Sequence, residues 1–107
     1  MARFLLQGTY STEGIKGLLK EGGTGRRTAV EAAVKSLGGK LEAIYYAFGE
    51  TDVYVIVDGI DNATAAAFSM GVGSTGSLSS IKTTVLMTPE EIDQATKKTL
   101  SYRPPGR

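Results

Sequence analysis

The sequence predicts an α+β domain in which four strands form one antiparallel sheet and two crossover helices lie on one of its faces. Two observations indicate this fold class. Residues 52–58 are predicted to form a strand that is apolar on both of its faces, because three valines alternate with Tyr54 and Ile56. Segments with strand and helix periodicity follow one another in the order β-α-β-β-α-β, and one further short helix comes last.

The first third of the chain contains a strand and a helix that is interrupted by glycines. Residues 4–7 form the strand, which ends at Gly8. Residues 12–20 have helical spacing that two glycines weaken, and a glycine-rich break follows at 22–25. A clear helix over 26–37 is predicted by one apolar stripe, which consists of Val30, Ala33, Val34 and Leu37.

A hairpin occupies the middle of the chain. Gly38 and Gly39 end the preceding helix in the manner of a C-cap. Residues 41–48 form the second strand, and a turn at 49–51 leads into the strand over 52–58. The turn has the short length that hairpins prefer, so the two strands are expected to pair.

Two helices and a strand complete the pattern. Asp61 is the predicted N-cap of the second helix, whose expected apolar face is Ala63, Ala66, Ala67 and Met70. A flexible connection at 71–76 precedes the fourth strand over 81–87. Thr88 begins a terminal helix with the signature of a capping box, and this helix runs to about Leu100.

This order of elements is the ferredoxin-like split βαβ pattern. Both crossovers are right-handed, so both helices lie on the same face of the sheet. We expect a single domain over residues 1–100 and a tail over residues 101–107.

The apolar character of the other face of the sheet indicates that a partner subunit covers it. Whichever side of the strand at 52–58 faces away from the helices, it carries large apolar side chains. Burying each one contributes about 1.5–3 kcal/mol, which is substantial for a small domain. We therefore expect a homodimer or higher homo-oligomer formed through this face. A monomer whose own terminal helix covers the face is the alternative.

Composition argues against several classes of function. Twelve basic and eleven acidic residues give no basic excess, so we expect no nucleic-acid partner. The chain has no cysteine and no histidine, which removes the commonest metal ligands and the usual general base, so no metal and no cofactor are expected. No apolar run approaches the ~18 residues of a membrane span, and no signal peptide is visible, so a cytoplasmic location without a membrane partner is predicted.

The hairpin turn contains the first candidate residues. Gly49 supplies a backbone conformation that other residues resist, and is interpreted as a structural turn residue. Asp52 either bonds a turn amide or stands at the mouth of a pocket as a ligand-binding or acid/base group.

Aromatic and basic residues are the other candidates for ligand binding. Tyr46 and Tyr54 belong to an aromatic cluster on the hairpin strands, which either lines a cavity between sheet and helices or packs in the core or interface. Arg27 is a candidate for reaching a carboxylate. The glycine-rich stretch at 22–25, to which Arg26 and Arg27 add positive charge, resembles a phosphate cradle that would bind an anion. It lacks the Lys-Ser/Thr pair of nucleotide loops, so a flexible break is the preferred interpretation.

The chain resembles the GYD domain family in the order and spacing of its glycines, apolar runs and one aspartate. The resemblance covers essentially the whole chain and rests on residues 13–16, Arg27, residues 38–41, Gly49, residues 52–53 and residues 76–84. The Gly-Tyr-Asp of the family's name is not intact, because Glu50 and Thr51 stand between Gly49 and Asp52. The resemblance implies a small bacterial protein of the dimeric α+β barrel type, in a family whose biochemical role is not established.

Three functions are compatible with these residues. The first is a cofactor-independent homo-oligomeric module that binds a small ligand or serves in assembly. The second is a cofactor-free enzyme, monooxygenase- or isomerase-like, that acts on a small organic substrate in the cavity between sheet and helices. The third is a regulator that binds a partner. An enzyme without histidine would have to use a carboxylate, a tyrosine or a buried lysine for proton transfer.

Overall fold

A computed structural model describes residues 2–107. The elements along the chain are β1 (Ala2–Tyr10), α1 (Thr12–Ser36), β2 (Lys40–Tyr46), β3 (Val53–Ile60), α2 (Asn62–Gly73), β4 (Leu78–Leu86) and α3 (Pro89–Thr96). The four strands form one antiparallel sheet in the order β2-β3-β1-β4. This order of elements and strands is the ferredoxin-like fold, as the sequence predicts.

Helix α1 is long and kinked. Ser11 caps its start by accepting a hydrogen bond from the Gly14 N–H. The predicted break falls at Gly22, whose φ of 79° and ψ of 165° are not helical, while the residues that follow it are helical again. Glycine occupies this position without the strain that a side chain would add. Leu37 is the C-cap, and Gly38 follows it with a φ of 80°, as predicted.

The hydrophobic core lies between the sheet and the two long helices. The valines of β3 face this side, and Val57 is only 1% exposed. The buried members of the core are Phe4, Leu6, Val34, Val53, Val55, Val57, Ile60, Ala65 and Phe68. Tyr54 and Ile56 therefore face the opposite side of the sheet, since side chains alternate along a strand.

The predicted apolar face of α2 is wrong. Its buried residues are Ala65 and Phe68, with Val72 packed beside them, whereas Met70 is 69% exposed. The predicted residues and the buried residues both have helical spacing, and the faces of an alanine-rich helix differ little in hydrophobicity. Phe68 decides the orientation, because burying its ring removes far more apolar surface from water than burying an alanine does. The Asp61 cap is confirmed, since its carboxylate accepts from the Thr64 N–H at 2.8 Å.

Helix α3 begins as predicted and ends early. The Thr88 hydroxyl accepts from the Glu91 N–H, and the Glu91 carboxylate accepts from the Thr88 N–H, which completes a capping box. The helix ends at Thr96 rather than near Leu100.

The C-terminal segment extends away from the sheet. The radius of gyration is 16.9 Å, against about 13 Å for a compact chain of this length, and the longest dimension is 57 Å. Within residues 2–107, α3 does not pack extensively against any strand, and Leu100 is 81% exposed. The terminal helix therefore does not cover the second face of the sheet.

We call this second face the open face. Its centre is apolar: Leu5 lies opposite Ile56, and Tyr54 lies opposite Tyr45 on the neighbouring strand. Polar groups surround this centre. At one end Arg3 forms an ion pair with Glu42 at 2.9 Å.

In the described part of the chain, no helix combines the length and the apolar character that crossing a membrane requires.

Candidate functional site

The candidate site is a cleft between α1 and α2. Helix α1 packs mainly on β2, and α2 packs on β4, so the two central strands β1 and β3 form the floor between them. The cleft has a volume of about 110 Å³. Its walls are predominantly apolar and include Leu6, Val30, Ile44, Val53, Val55, Phe68, Val72, Leu78 and Ile81.

Polar groups collect at one end of the cleft. They are Tyr10 at the end of β1, Arg26 after the kink of α1, and Ser77 just before β4. Arg26 is the one charged residue that lines the cleft within residues 2–107. Its guanidinium also donates a hydrogen bond to Glu21 at 3.3 Å, across the kink of the helix. The site therefore combines an apolar floor with a cationic end.

Tyr10 lies at this cationic end, beside Arg26. Burial raises the pKa of the Tyr10 hydroxyl, the neighbouring Tyr46 raises it further, and the Arg26 charge opposes the rise. A tyrosine hydroxyl ordinarily keeps its proton at neutral pH, and a shift of its pKa upward does not change that. It is therefore available as a hydrogen-bond donor.

Tyr46 lies next to this group and joins β2 to the kink of α1. Its hydroxyl donates to the Gly23 carbonyl at 3.1 Å. A methyl group at position 23 would approach the Tyr46 ring to 3.2 Å, so glycine permits this close contact. Burial raises the pKa of Tyr46, and the charges of Arg26 and Arg27 oppose the rise. Tyr46 thus positions the helix that carries Arg26.

Asp52 joins the hairpin turn to the end of β1 and does not line the cleft. Its carboxylate accepts from the Tyr10 N–H at 2.9 Å, and its own N–H donates to the Gly8 carbonyl at 2.9 Å. Its carbonyl accepts from the Ala47 N–H at 2.8 Å, which closes the hairpin loop. Gly49, in the same loop, has a φ of 151°, a conformation that favours glycine.

Replacing Asp52 by alanine is expected to lower the free energy of unfolding by about 1–3 kcal/mol, because the part-buried Tyr10 N–H loses its acceptor. Asp52→Asn is the matched control, since its amide oxygen can accept the same hydrogen bond. Urea unfolding of both variants measures the difference. Equal losses of stability would show that the negative charge, rather than the hydrogen bond, is what matters at this position.

The structure separates the remaining sequence candidates from the cleft. Tyr54 lies on the open face, opposite Gln7 of β1 and Tyr45 of β2. Arg27 lies with Glu31 and the outer residues of β2, along a shallow depression on the far side of α1. Of the four proposed ligand-binding residues, Tyr46 and Asp52 lie beside the polar end of the cleft, next to Tyr10, although neither of them lines it.

Sequence reasoning considered Arg26 only together with Arg27, as charges beside the glycine-rich stretch, and it selected neither Arg26 nor Tyr10 as a site residue, although a signal for each was present. Arg26 precedes Val30 by four positions, so it continues the apolar stripe of the helix back toward the kink. Tyr10 continues the alternation of Phe4, Leu6 and Gly8, all of which face the helices. It was overlooked because the first strand was predicted to end at Gly8.

The acidic side chains of the described residues do not converge on a metal site. Within residues 2–107, no group of three or more metal-binding side chains lies close enough to hold an ion. The cleft offers hydrogen-bond donors and apolar surface, a combination that suits a small organic molecule.

Comparisons with known proteins agree with this fold. The family model described as the GYD domain matches residues 4–96, which is most of the chain. Among solved structures, the chain is similar to the crystal structure of the hypothetical protein PHS023 from Pyrococcus horikoshii. The TM-score is 0.52 at 12% sequence identity, over 85% of this chain and 95% of that one. No curated protein sequence matches the chain.

Proposed function

The chain belongs to the GYD domain family, and from that premise we propose that it is a homo-oligomeric, cofactor-independent domain that binds a small molecule in the cleft between α1 and α2. The observation that carries this proposal is the cleft itself. An apolar space of about 110 Å³ with polar groups at one end only is the arrangement by which proteins hold and orient small ligands.

The open face supports the homo-oligomeric part of the proposal. Leu5, Tyr54 and Ile56 lie next to one another at its centre, and Tyr45 beside them is 69% exposed. A contiguous apolar patch of this kind on a sheet commonly marks a protein interface. A second copy placed there would produce the dimeric α+β barrel that the sequence led us to expect.

Binding of 1-hexanol, a small neutral amphiphile, tests the cleft. Burying about five carbon groups at ~0.8 kcal/mol each contributes about 4 kcal/mol, which corresponds to a dissociation constant of about 1 mM, or up to about 10 mM in a partly open cleft. We expect saturable changes in the ¹H–¹⁵N NMR signals of the residues that line the cleft.

Two alanines on α1 provide a matched pair of variants for this test. Ala33 lines the cleft and Ala32 does not. Ala33→Phe fills the space and is expected to abolish hexanol binding, whereas Ala32→Phe leaves binding unchanged. Signal changes that are not saturable, or that Ala33→Phe does not affect, would contradict a binding function for the cleft.

A cofactor-free enzyme that uses the same cleft is the second candidate. It needs an ionisable group that exchanges protons near neutral pH. Tyr10 and Arg26 are the ionisable side chains that line the cleft in the described residues. Burial moves the pKa of Tyr10 upward, away from neutrality. Ligand binding is therefore the function that the geometry supports better.

A further inference from the structure

We propose that the ligand of the cleft is a small carboxylate, whose anionic group binds Arg26 and Tyr10 and whose short apolar part lies on the floor formed by β1 and β3. This inference rests on the proposed binding function and adds the chemical class of the ligand. Titration with a charged and a neutral probe distinguishes a failure of the binding function from a failure of the carboxylate assignment.

The charges around the cleft favour an anion. Arg26 is the one charged residue among those that line it, and no carboxylate of residues 2–107 lines it. A cationic ligand would be repelled by the Arg26 guanidinium, because Glu21 and Asp52, the two carboxylates near the polar end, do not line the cleft. A neutral ligand would leave that charge without a partner inside the cleft.

Arg26 retains the capacity to bind a carboxylate. Its ion pair with Glu21 is on the surface, where the Arg26 side chain is 35% exposed and the Glu21 side chain is 46% exposed. Ion pairs exposed to this degree contribute little to stability. A guanidinium has five N–H donors in a planar arrangement that matches a carboxylate, so Arg26 can hold a ligand beside Glu21 or in its place.

Tyr10 adds a second donor on the same side. Its hydroxyl lies beside Arg26 and stays protonated, whereas the hydroxyl of Tyr46 already donates to the Gly23 carbonyl. The polar end therefore presents two donor side chains, a guanidinium and a phenol. Hydrogen bonds from such donors are stronger to a negatively charged oxygen than to a neutral one, so this end of the cleft favours an anionic ligand group.

The volume of the cleft limits the size of the ligand. An apolar cavity of ~150 Å³ is known to hold benzene, so a cleft of about 110 Å³ holds a hydrocarbon of about four to six carbons. The carboxylate itself lies at the open, polar end. Short aliphatic and small branched carboxylates meet these limits, and long-chain fatty acids exceed them.

Titration with sodium hexanoate and with 1-hexanol tests this assignment, since both carry the same apolar chain and only hexanoate is charged. We expect hexanoate to bind about tenfold more tightly, because hydrogen bonds to a charged group add to the burial of the chain. Arg26→Gln is expected to abolish this tenfold preference, so that hexanoate binds this variant no more tightly than hexanol does.

The neighbouring arginine is the matched control. Arg27→Gln makes the same change in net charge on the same helix, but Arg27 lies outside the cleft, so both affinities should remain as in the wild type. Circular dichroism confirms that both variants are folded.

Three outcomes would overturn the assignment. Hexanoate that binds no more tightly than hexanol would exclude a carboxylate ligand and leave the proposed binding function standing. If Arg26→Gln and Arg27→Gln weaken hexanoate binding equally, net charge alone attracts the anion. If neither probe binds, the proposed function of the cleft fails together with this inference.

Discussion

Replacing Gly14 by alanine is expected to lower the free energy of unfolding by about 1–3 kcal/mol, because the added methyl group has no room. Gly14 is buried in the first turn of α1, and a Cβ atom there would overlap the carbonyl oxygen of Ser77 and approach the ring of Tyr10 to 2.8 Å. The loss is expected despite the gain of about 1 kcal/mol that alanine brings to a helix. Thermal unfolding measures it as a decrease in Tm of roughly 5–15 °C.

Gly17 provides the matched control one turn later. A Cβ atom at this position would have no neighbour within 4 Å, so Gly17→Ala should stabilise the protein by about 0.5–1 kcal/mol. The two changes are chemically identical and are expected to act in opposite directions. A Gly14→Ala variant as stable as the wild type would mean that the start of α1 can shift away from Ser77 at little cost.

The Gly14 variant also connects stability to the site. Ser77 and Tyr10, the two residues that the new methyl group would displace, both line the cleft. The Ser11 N–H donates to the Ser77 carbonyl at 3.0 Å, which holds the start of α1 against the segment before β4. Close packing at Gly14 therefore positions the polar end of the cleft as well as the helix.

Ile56→Asp is expected to dissociate the proposed homo-oligomer into monomers. Ile56 lies at the centre of the open face, between Leu5 and Ala43 on its two neighbouring strands. A carboxylate buried without a partner costs about 3 kcal/mol or more per copy. Two copies meeting in a dimer would lose about 6 kcal/mol, which weakens association by about 10⁴-fold. Light scattering should show a mass of 11.3 kDa for the variant and at least twice that for the wild type.

Two further variants make this result interpretable. Ala32→Asp adds the same charge on an exposed position of α1 and should leave the mass unchanged. Tyr45→Lys adds a charge to the open face at a side chain that is 69% exposed, so it should dissociate the oligomer without affecting the folding of a single chain. A wild-type protein that is monomeric at all concentrations would contradict the proposed homo-oligomer.

The order of the elements could be predicted from the sequence because it depends on local signals. The apolar alternation of β3, the glycines around α1 and the caps at Asp61 and Thr88 each act within a few residues. Right-handed crossovers then place both long helices on the same face of the sheet. These rules led to the ferredoxin-like fold without knowledge of any long-range contact.

The site was only partly predictable, because it depends on contacts between distant residues. Sequence reasoning selected Asp52 from its place in a turn, and the structure shows that its carboxylate bonds the Tyr10 backbone. It selected Arg27 rather than Arg26 as a binding residue. Neighbouring residues on a helix point about 100° apart, so only one of them can face the cleft. Which one does so depends on how α1 is rotated against the sheet.

The sequence by itself determined the fold class, the position of the kink in α1 and the caps of the helices, since each follows from the conformational preferences of a few adjacent residues. The tertiary structure decided which side of β3 faces the helices, which stripe of α2 is buried and which arginine enters the cleft. A periodic pattern defines the two sides of an element equally well. The packing of its neighbours decides which side is buried, because burial of the larger apolar surface has the lower free energy.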